Sequence, residues 1–153
     1  MGSIERNRVP SSAGYSGTPL RTKLGQKAGD RALLVNVPPA LDTMLSNPSF
    51  RSVTRAVSPN RLRAASFDYI HLFTMVRFEL TQALEILCDH MAADGMIWVS
   101  WPKKAARLDT DVTEDVVRQV ALPLGLVDIK VCAVDETWSG LKLVLREHLR
   151  TSR

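Results

Sequence analysis

The sequence predicts a three-layer α/β sandwich, in which a largely parallel sheet carries helices on both faces and ends in an antiparallel hairpin. Short apolar runs alternate with segments of helical periodicity, which is typical of parallel strands joined by crossover helices. The last two apolar runs, 126–134 and 141–146, are joined by a connection too short for a crossover, so they predict a hairpin. A chain of 153 residues, 45% of them hydrophobic, can bury one core without disulfides or metals.

Two short helices and a central strand are predicted in the first third of the chain. A helix is predicted over 18–24, because a hydroxyl side chain and a proline open it and Gly25 follows it. Residues 32–37 form an apolar run without polar positions at helical spacing, which predicts a strand covered on both faces. The double proline at 38–39 can begin a helix but cannot lie inside one, so a second helix is predicted after it.

The strand and helix signals strengthen after the middle of the chain. Residues 50–57 predict a weaker strand, and residues 58–66 are rich in turn formers and predict a loop. A strand is then predicted over 67–73, and leucines at helical spacing predict a helix over 80–91. After a glycine-containing turn, residues 96–101 predict the next central strand.

One more helix and the hairpin complete the predicted domain. Thr113 supplies an N-cap hydroxyl, and the two acids after it favour a helix N-terminus; the helix is predicted to end before Gly125. The whole chain is predicted to be a flexible tail over 1–13, a single α/β domain over 14–147 and a short tail over 148–153.

The composition excludes several classes of protein. The 20 lysines and arginines against 16 acids give a net charge of +4, which favours acidic partners without implying nucleic acid. Cys88 and Cys132 fit neither a metal-ligand spacing nor a disulfide framework, so a cytoplasmic location and no metal are predicted. No apolar run approaches the roughly 18 residues that span a bilayer, and no membrane partner is expected.

Four tracts of the sequence carry a resemblance to a known family. They are residues 14–20 (GYSGTPL), 101–105 (WPKKA), 113–118 (TEDVVR) and 136–143 (ETWSGLKL). These tracts resemble the bacterial domain-of-unknown-function family 3052, over most of residues 14–147 except 41–63. The resemblance implies no chemistry and no catalytic residue.

The second half of the chain, from residue 67 to 146, is similar to class I (Rossmann-like) methyltransferases in the order of its elements. An "FD" strand, a long helix, a "DG" turn into an apolar strand, a helix and a terminal hairpin follow one another. This similarity implies an abbreviated methyltransferase-like fold. Fold similarity alone does not assign the chemistry.

The turn after the first strand argues against the usual cofactor of such folds. Methyltransferases and dinucleotide enzymes use a glycine-rich turn there, so that backbone N–H groups approach the ligand closely. This chain has Pro38 and Pro39 in that turn, which remove two N–H donors. Residues 51–55 also lack the acid that would hold ribose hydroxyls. No cofactor is therefore predicted, and S-adenosylmethionine is disfavoured.

Candidate ligand-binding residues follow the carboxyl ends of the strands, where open α/β sheets place their sites. Two lysines after Trp101 suit an anion, although a solvated loop anchored by a buried tryptophan is the simpler interpretation. The hairpin turn holds carboxylates, hydroxyls and an indole, which could serve acid–base chemistry or satisfy the turn's own backbone. The candidates are Asn36, Thr74, Trp101, Lys103, Lys104, Glu136 and Trp138.

The sequence thus predicts a small non-catalytic module that binds a partner protein or a small acidic ligand. The alternative is an S-adenosylmethionine-dependent methyltransferase with an atypical cofactor site. Nucleic acid is not expected as a partner: the basic stretch from Arg51 to Arg63 has no acid, but Phe50 is the one aromatic ring beside it.

Overall fold

The structure, a computed structural model, describes residues 19–151. The tail predicted over residues 1–13 lies outside these residues. Within them the strands are β1 Arg31–Val35, β2 Ser52–Ala56, β3 Phe67–Phe73, β4 Met91–Pro102, β5 Leu126–Ala133 and β6 Trp138–Leu145. The α-helices are α1 Leu20–Lys23, α2 Pro39–Leu45, α3 Arg77–Cys88, α4 Glu114–Ala121 and α5 Glu147–Arg150.

The strands form one sheet in the order β2-β1-β3-β4-β6-β5. β1 pairs in parallel with both β2 and β3, and β3 pairs in parallel with β4. β6 runs antiparallel to both of its neighbours, β4 and β5, so the hairpin forms one edge of the sheet, with β5 as the edge strand. This arrangement confirms the predicted α/β fold class, a largely parallel sheet with a C-terminal antiparallel pair.

Helices cover both faces of the sheet and divide the core into two clusters. α3 and α4 pack on one face through buried side chains that include Leu84 and Val117. α1, α2 and the residues after α1 cover the other face through Leu24, Leu41 and Leu45. The indole N–H of Trp98, in β4, donates to the carbonyl of Leu24 at 2.8 Å, which fixes the end of α1 against the sheet.

Several local predictions are confirmed. Thr113 caps α4, because its side-chain oxygen accepts from the backbone N–H of Val116, and Gly125 adopts a positive φ of 86° after the helical segment, a conformation that favours glycine. No helix among the described residues is long and apolar enough to cross a membrane.

The largest differences from the predicted boundaries are at the start of β4 and at the C-terminus. β4 begins at Met91 rather than at residue 96, with an irregular register between Phe67 and Tyr69 of the neighbouring strand. Gly95 permits this irregularity, since a Cβ there would lie 2.9 Å from the carbonyl oxygen of Phe67. At the C-terminus, residues assigned to a tail belong to α5, and Leu149 packs against the core.

Candidate functional site

A cavity lies at the carboxyl ends of β1 and β3, where the strand order reverses. The chain leaves β1 towards β2 on one side, while β3 lies on the other, and open α/β sheets bind ligands at this switch point. The cavity has a volume of about 360 Å³, within the range of small-molecule sites. Its lining comes from the ends of β1 and β3, from the segment that follows β2 and from α3. The lining residues are Val35, Asn36, Val57, Ser58, Pro59, Asn60, Leu72, Phe73, Thr74, Glu79, Gln82 and Ala83.

Asn36 joins the ends of three strands at this cavity. It follows β1 with a positive φ of 56°, a conformation that asparagine tolerates better than most residues. Its backbone N–H donates to the carbonyl of Ala56 at 2.8 Å, and its side-chain amide donates to the carbonyl of Phe73 at 3.0 Å. Asn36 therefore positions the floor of the cavity by connecting β1 with β2 and β3.

The turn after β1 provides few backbone donors to a ligand. Pro38 precedes the first residue of α2 and Pro39 is that first residue, and neither has an N–H. The N–H of Asn36 is already donated to Ala56. Polar groups that hold a ligand in this cavity must therefore come chiefly from side chains.

Two side chains of α3 supply polar groups that sequence reasoning missed. Glu79 and Gln82 lie three residues apart, so they share one face of the helix, and both line the cavity. Among the described residues, the Glu79 carboxylate forms no ion pair. An acid in the first turn of the helix that follows a strand end was the available signal.

The polar groups of Thr74 form hydrogen bonds within the protein itself. Its side chain is buried, its hydroxyl donates to the carbonyl of Val76, and its backbone N–H donates to the carbonyl of Ser100 at 3.0 Å. Of the seven candidate residues from the sequence, Asn36 and Thr74 are the two that line the cavity.

The other five candidates lie at the end of β4 and in the hairpin turn. Trp101 is 7% exposed and belongs to the core beneath α3 and α4, so its ring is not available to a ligand beside the lysines. The backbone N–H of Lys103 donates to the carbonyl of Thr137 at 2.8 Å, which ties this strand end to the turn. Lys104 is exposed and begins a 3-10 turn, Lys104–Ala106.

The hairpin turn satisfies its own backbone. A carboxylate oxygen of Asp135 accepts from the N–H groups of Thr137 and Trp138 at 2.8 and 2.7 Å. The Trp138 ring packs edge-on against Phe73 with centroids 5.1 Å apart, and Glu136 is exposed. Trp138 thus touches the strand end that bounds the cavity, while Glu136 does not line it.

A buried chain of hydrogen bonds lies beneath Phe73. The Tyr69 hydroxyl is 2.8 Å from His71 Nδ1, and His71 Nε2 is 2.7 Å from the Ser100 hydroxyl; all three side chains are fully buried. The imidazole stacks on Phe73 with centroids 4.6 Å apart. Burial lowers the pKa of His71 to about 3, so the ring is neutral and holds β3 against β4.

Solved structures of methyltransferases resemble this chain. Magnesium protoporphyrin IX methyltransferase from Synechocystis PCC 6803 with bound S-adenosylmethionine has a TM-score of 0.63 at 10% identity, covering 83% of this chain and 78% of that one. The complex of DhpI with S-adenosylhomocysteine has a TM-score of 0.63 at 8% identity, covering 84% and 83%. LepI in complex with S-adenosylmethionine has a TM-score of 0.54 at 14% identity; this chain covers 39% of its length, and the match covers 83% of this chain.

These similarities show that the chain has the fold of class I S-adenosylmethionine-dependent methyltransferases. No family model matches the chain, so the resemblance to family 3052 stays a prediction. No curated protein matches it.

The comparisons correct the cofactor prediction. The sequence predicts no cofactor and disfavours S-adenosylmethionine, whereas structures of this fold that match more than four-fifths of the chain hold S-adenosylmethionine or S-adenosylhomocysteine. The error was to treat a glycine-rich turn as the only means of holding such a ligand. Side chains around the same crevice can supply donors and acceptors instead.

The donor set of the cavity fits a ligand of this kind. S-adenosylmethionine presents hydroxyl and amine donors, a carboxylate and an apolar surface. The Glu79 carboxylate would accept from hydroxyl or ammonium groups, and the amides of Asn36, Asn60 and Gln82 can both donate and accept. Val35 and Leu72 add apolar wall.

Proposed function

We propose that the protein binds S-adenosylmethionine in the switch-point cavity and is a methyltransferase with an atypical cofactor site. One observation carries the proposal: the cavity at the reversal of strand order, about 360 Å³ in volume, has in its wall the Glu79 carboxylate, which forms no ion pair with residues 19–151. When bound, S-adenosylmethionine supplies an activated methyl group.

Glu79 has the central role in this proposal. A carboxylate accepts strong hydrogen bonds from hydroxyl and ammonium groups, and no arginine or lysine of the described chain competes for it through an ion pair. Gln82, one helical turn further, would add an amide that donates and accepts. Asn36 would keep the strand ends in place beneath the ligand, since it hydrogen-bonds to Phe73.

A second candidate function is the binding of a small acidic ligand or partner protein at the end of β4. The observation that favours it is the pair Lys103 and Lys104, whose ammonium groups make no hydrogen bond or ion pair with the described residues. Such a site would lie beside the hairpin turn and would not need the cavity.

Calorimetric titration with S-adenosylmethionine and S-adenosylhomocysteine tests the main proposal. We expect micromolar binding to the wild type and a loss of about tenfold or more in Glu79→Gln, because a charged acceptor is removed. Glu85→Gln is the matched control: it makes the same change on the same helix, at an exposed position outside the cavity lining. No binding by the wild type, or equal effects of the two variants, would contradict the proposal.

A further inference from the structure

Lysines from the C-terminal hairpin and from the loop after α1 lie on the sheet face that α1 and α2 cover. Lys142 in β6 lies directly opposite Lys130 in β5, in register, on the same face of the sheet. Lys27 belongs to the loop after α1 and acts on Lys142 as a like charge. We refer to Lys27, Lys130 and Lys142 as the lysine cluster.

Lys142 is the innermost member of the lysine cluster. It pairs across the sheet with Trp98, which is fully buried, and its Nζ lies beside Gly25. A Cβ placed on Gly25 would lie 3.3 Å from this Nζ, so the glycine leaves room for the ammonium. Lys142 is half-buried, and its ammonium makes no hydrogen bond or ion pair with residues 19–151.

The neighbouring charges do not compensate Lys142. Lys130 Nζ donates to the carbonyl of Lys23 at 2.8 Å, so it is held near the end of α1. Asp30, the acid on the same loop, accepts the backbone N–H of Lys27, and Asp128 of β5 is paired with Arg118 on α4, on the other face of the sheet. Burial and the like charges of Lys130 and Lys27 lower the pKa of Lys142.

Like charges directly opposite each other on neighbouring strands destabilise a sheet. A half-buried ammonium without a partner adds a desolvation cost. An anion between the three ammonium groups would remove both costs. All three are lysines, which bind phosphate as point charges, whereas arginine is preferred where a flat carboxylate is held by two parallel hydrogen bonds.

We propose that the lysine cluster is a binding site for a small anion that carries phosphate groups with two or more negative charges. A single-stranded nucleic acid fits less well, because the aromatic rings on this face of the described structure pack against the protein: Trp98 is buried, and the half-buried Trp138 packs edge-on against Phe73. The exposed Phe78 lies on α3, on the other face. The site shares no residue with the switch-point cavity.

Titration with tripolyphosphate at low ionic strength tests the proposal, by calorimetry and by the shift in melting temperature. We expect one ion bound per chain and a loss of about tenfold or more in affinity in Lys142→Met, which keeps an unbranched side chain and removes the charge. Without the anion, Lys142→Met should melt no lower than the wild type, because an uncompensated charge is removed. Lys130→Gln, at a more exposed position, is a second variant that should also weaken binding.

Arg63→Met is the matched control, since it removes one positive charge from an exposed loop outside the cluster. It should bind tripolyphosphate as the wild type does. The proposal is overturned if the wild type does not bind tripolyphosphate, or if Arg63→Met loses as much affinity as Lys142→Met. It is also overturned if replacing Lys103 and Lys104 by alanine abolishes binding while the lysine cluster is unchanged. A single-stranded oligonucleotide that binds more tightly than tripolyphosphate, through Lys142, would overturn the assignment to a small anion.

Discussion

The buried imidazole of His71 is expected to make this fold sensitive to mild acid. Its two ring nitrogens are hydrogen-bonded to Tyr69 and Ser100, and the ring is fully buried. Burial lowers the pKa of His71 from 6.5 to about 3 in the folded chain. Between these two pH values the unfolded chain binds a proton at this residue and the folded chain does not, so folding stability falls as the pH falls.

The size of the effect follows from the width of that interval. Each pH unit within it costs about 1.4 kcal/mol, so acidification from pH 6.5 to 4.5 should reduce the free energy of unfolding by about 2 to 3 kcal/mol. This is a large part of the 5 to 15 kcal/mol typical of a domain. Above pH 6.5 the contribution is constant, because the histidine is neutral in both states.

The ion-paired aspartates affect folding stability at lower pH than His71 does. Hydrogen bonds from arginines lower the pKa values of Asp42, Asp68 and Asp128, so the stability that these pairs provide is present above their ordinary pKa of 3.8 and is lost as the pH falls below it. The interval from pH 6.5 to 4.5 therefore separates the effect of His71 from theirs.

Urea unfolding of the wild type and of His71→Gln, repeated from pH 7.5 to 4.5, measures this effect. Glutamine can keep a hydrogen bond to one neighbour but cannot titrate, so the variant should be less stable at pH 7.5 and should lose less stability on acidification. The slope of the free energy of unfolding against pH should differ between the two proteins by an amount that approaches one proton per chain. Equal slopes for the two proteins, or a resonance assigned to His71 in the folded wild type that titrates near pH 6.5, would refute the reasoning.

Two further predictions concern the end of β4 and the hairpin. Replacing both Lys103 and Lys104 by alanine should leave the free energy of unfolding within about 0.5 kcal/mol of the wild type, as surface changes usually do, while weakening any acidic ligand bound at that end; a large loss of stability in chemical unfolding would show a structural role instead. Truncation after Gly125 removes β5 and β6 and exposes the edge of β4, so the fragment should aggregate or unfold, whereas removal of residues 1–12 should be tolerated. A soluble fragment that melts cooperatively would contradict the single-domain architecture.

The elements could be predicted where their signals are local. The bounds of β3 follow from a short run rich in aromatic and aliphatic residues, and the start of α4 follows from the cap at Thr113. The hairpin follows from the length of its connection. The start of β4 could not be predicted in this way, because residues 91–95 pair with β3 through an irregular register that depends on the space beside Gly95.

The candidate sites could be predicted only in part, because some of their residues are brought together by tertiary packing. Strand ends are visible in the sequence, so Asn36 and Thr74 could be assigned to the switch point. Glu79 required the rotation of α3 about its axis, and the lysine cluster required the register between β5 and β6. These depend on tertiary packing that composition and periodicity do not reveal.

The double proline after β1 changes how a ligand can be held, rather than where. A glycine-rich turn binds through backbone N–H groups, which survive most side-chain substitutions. Here Asn36 gives its N–H to Ala56, and Pro38 and Pro39 have none, so we expect the binding energy to come chiefly from side chains such as Glu79. Affinity in this cavity should therefore respond strongly to single side-chain changes, and the contrast between Glu79→Gln and Glu85→Gln measures that dependence directly.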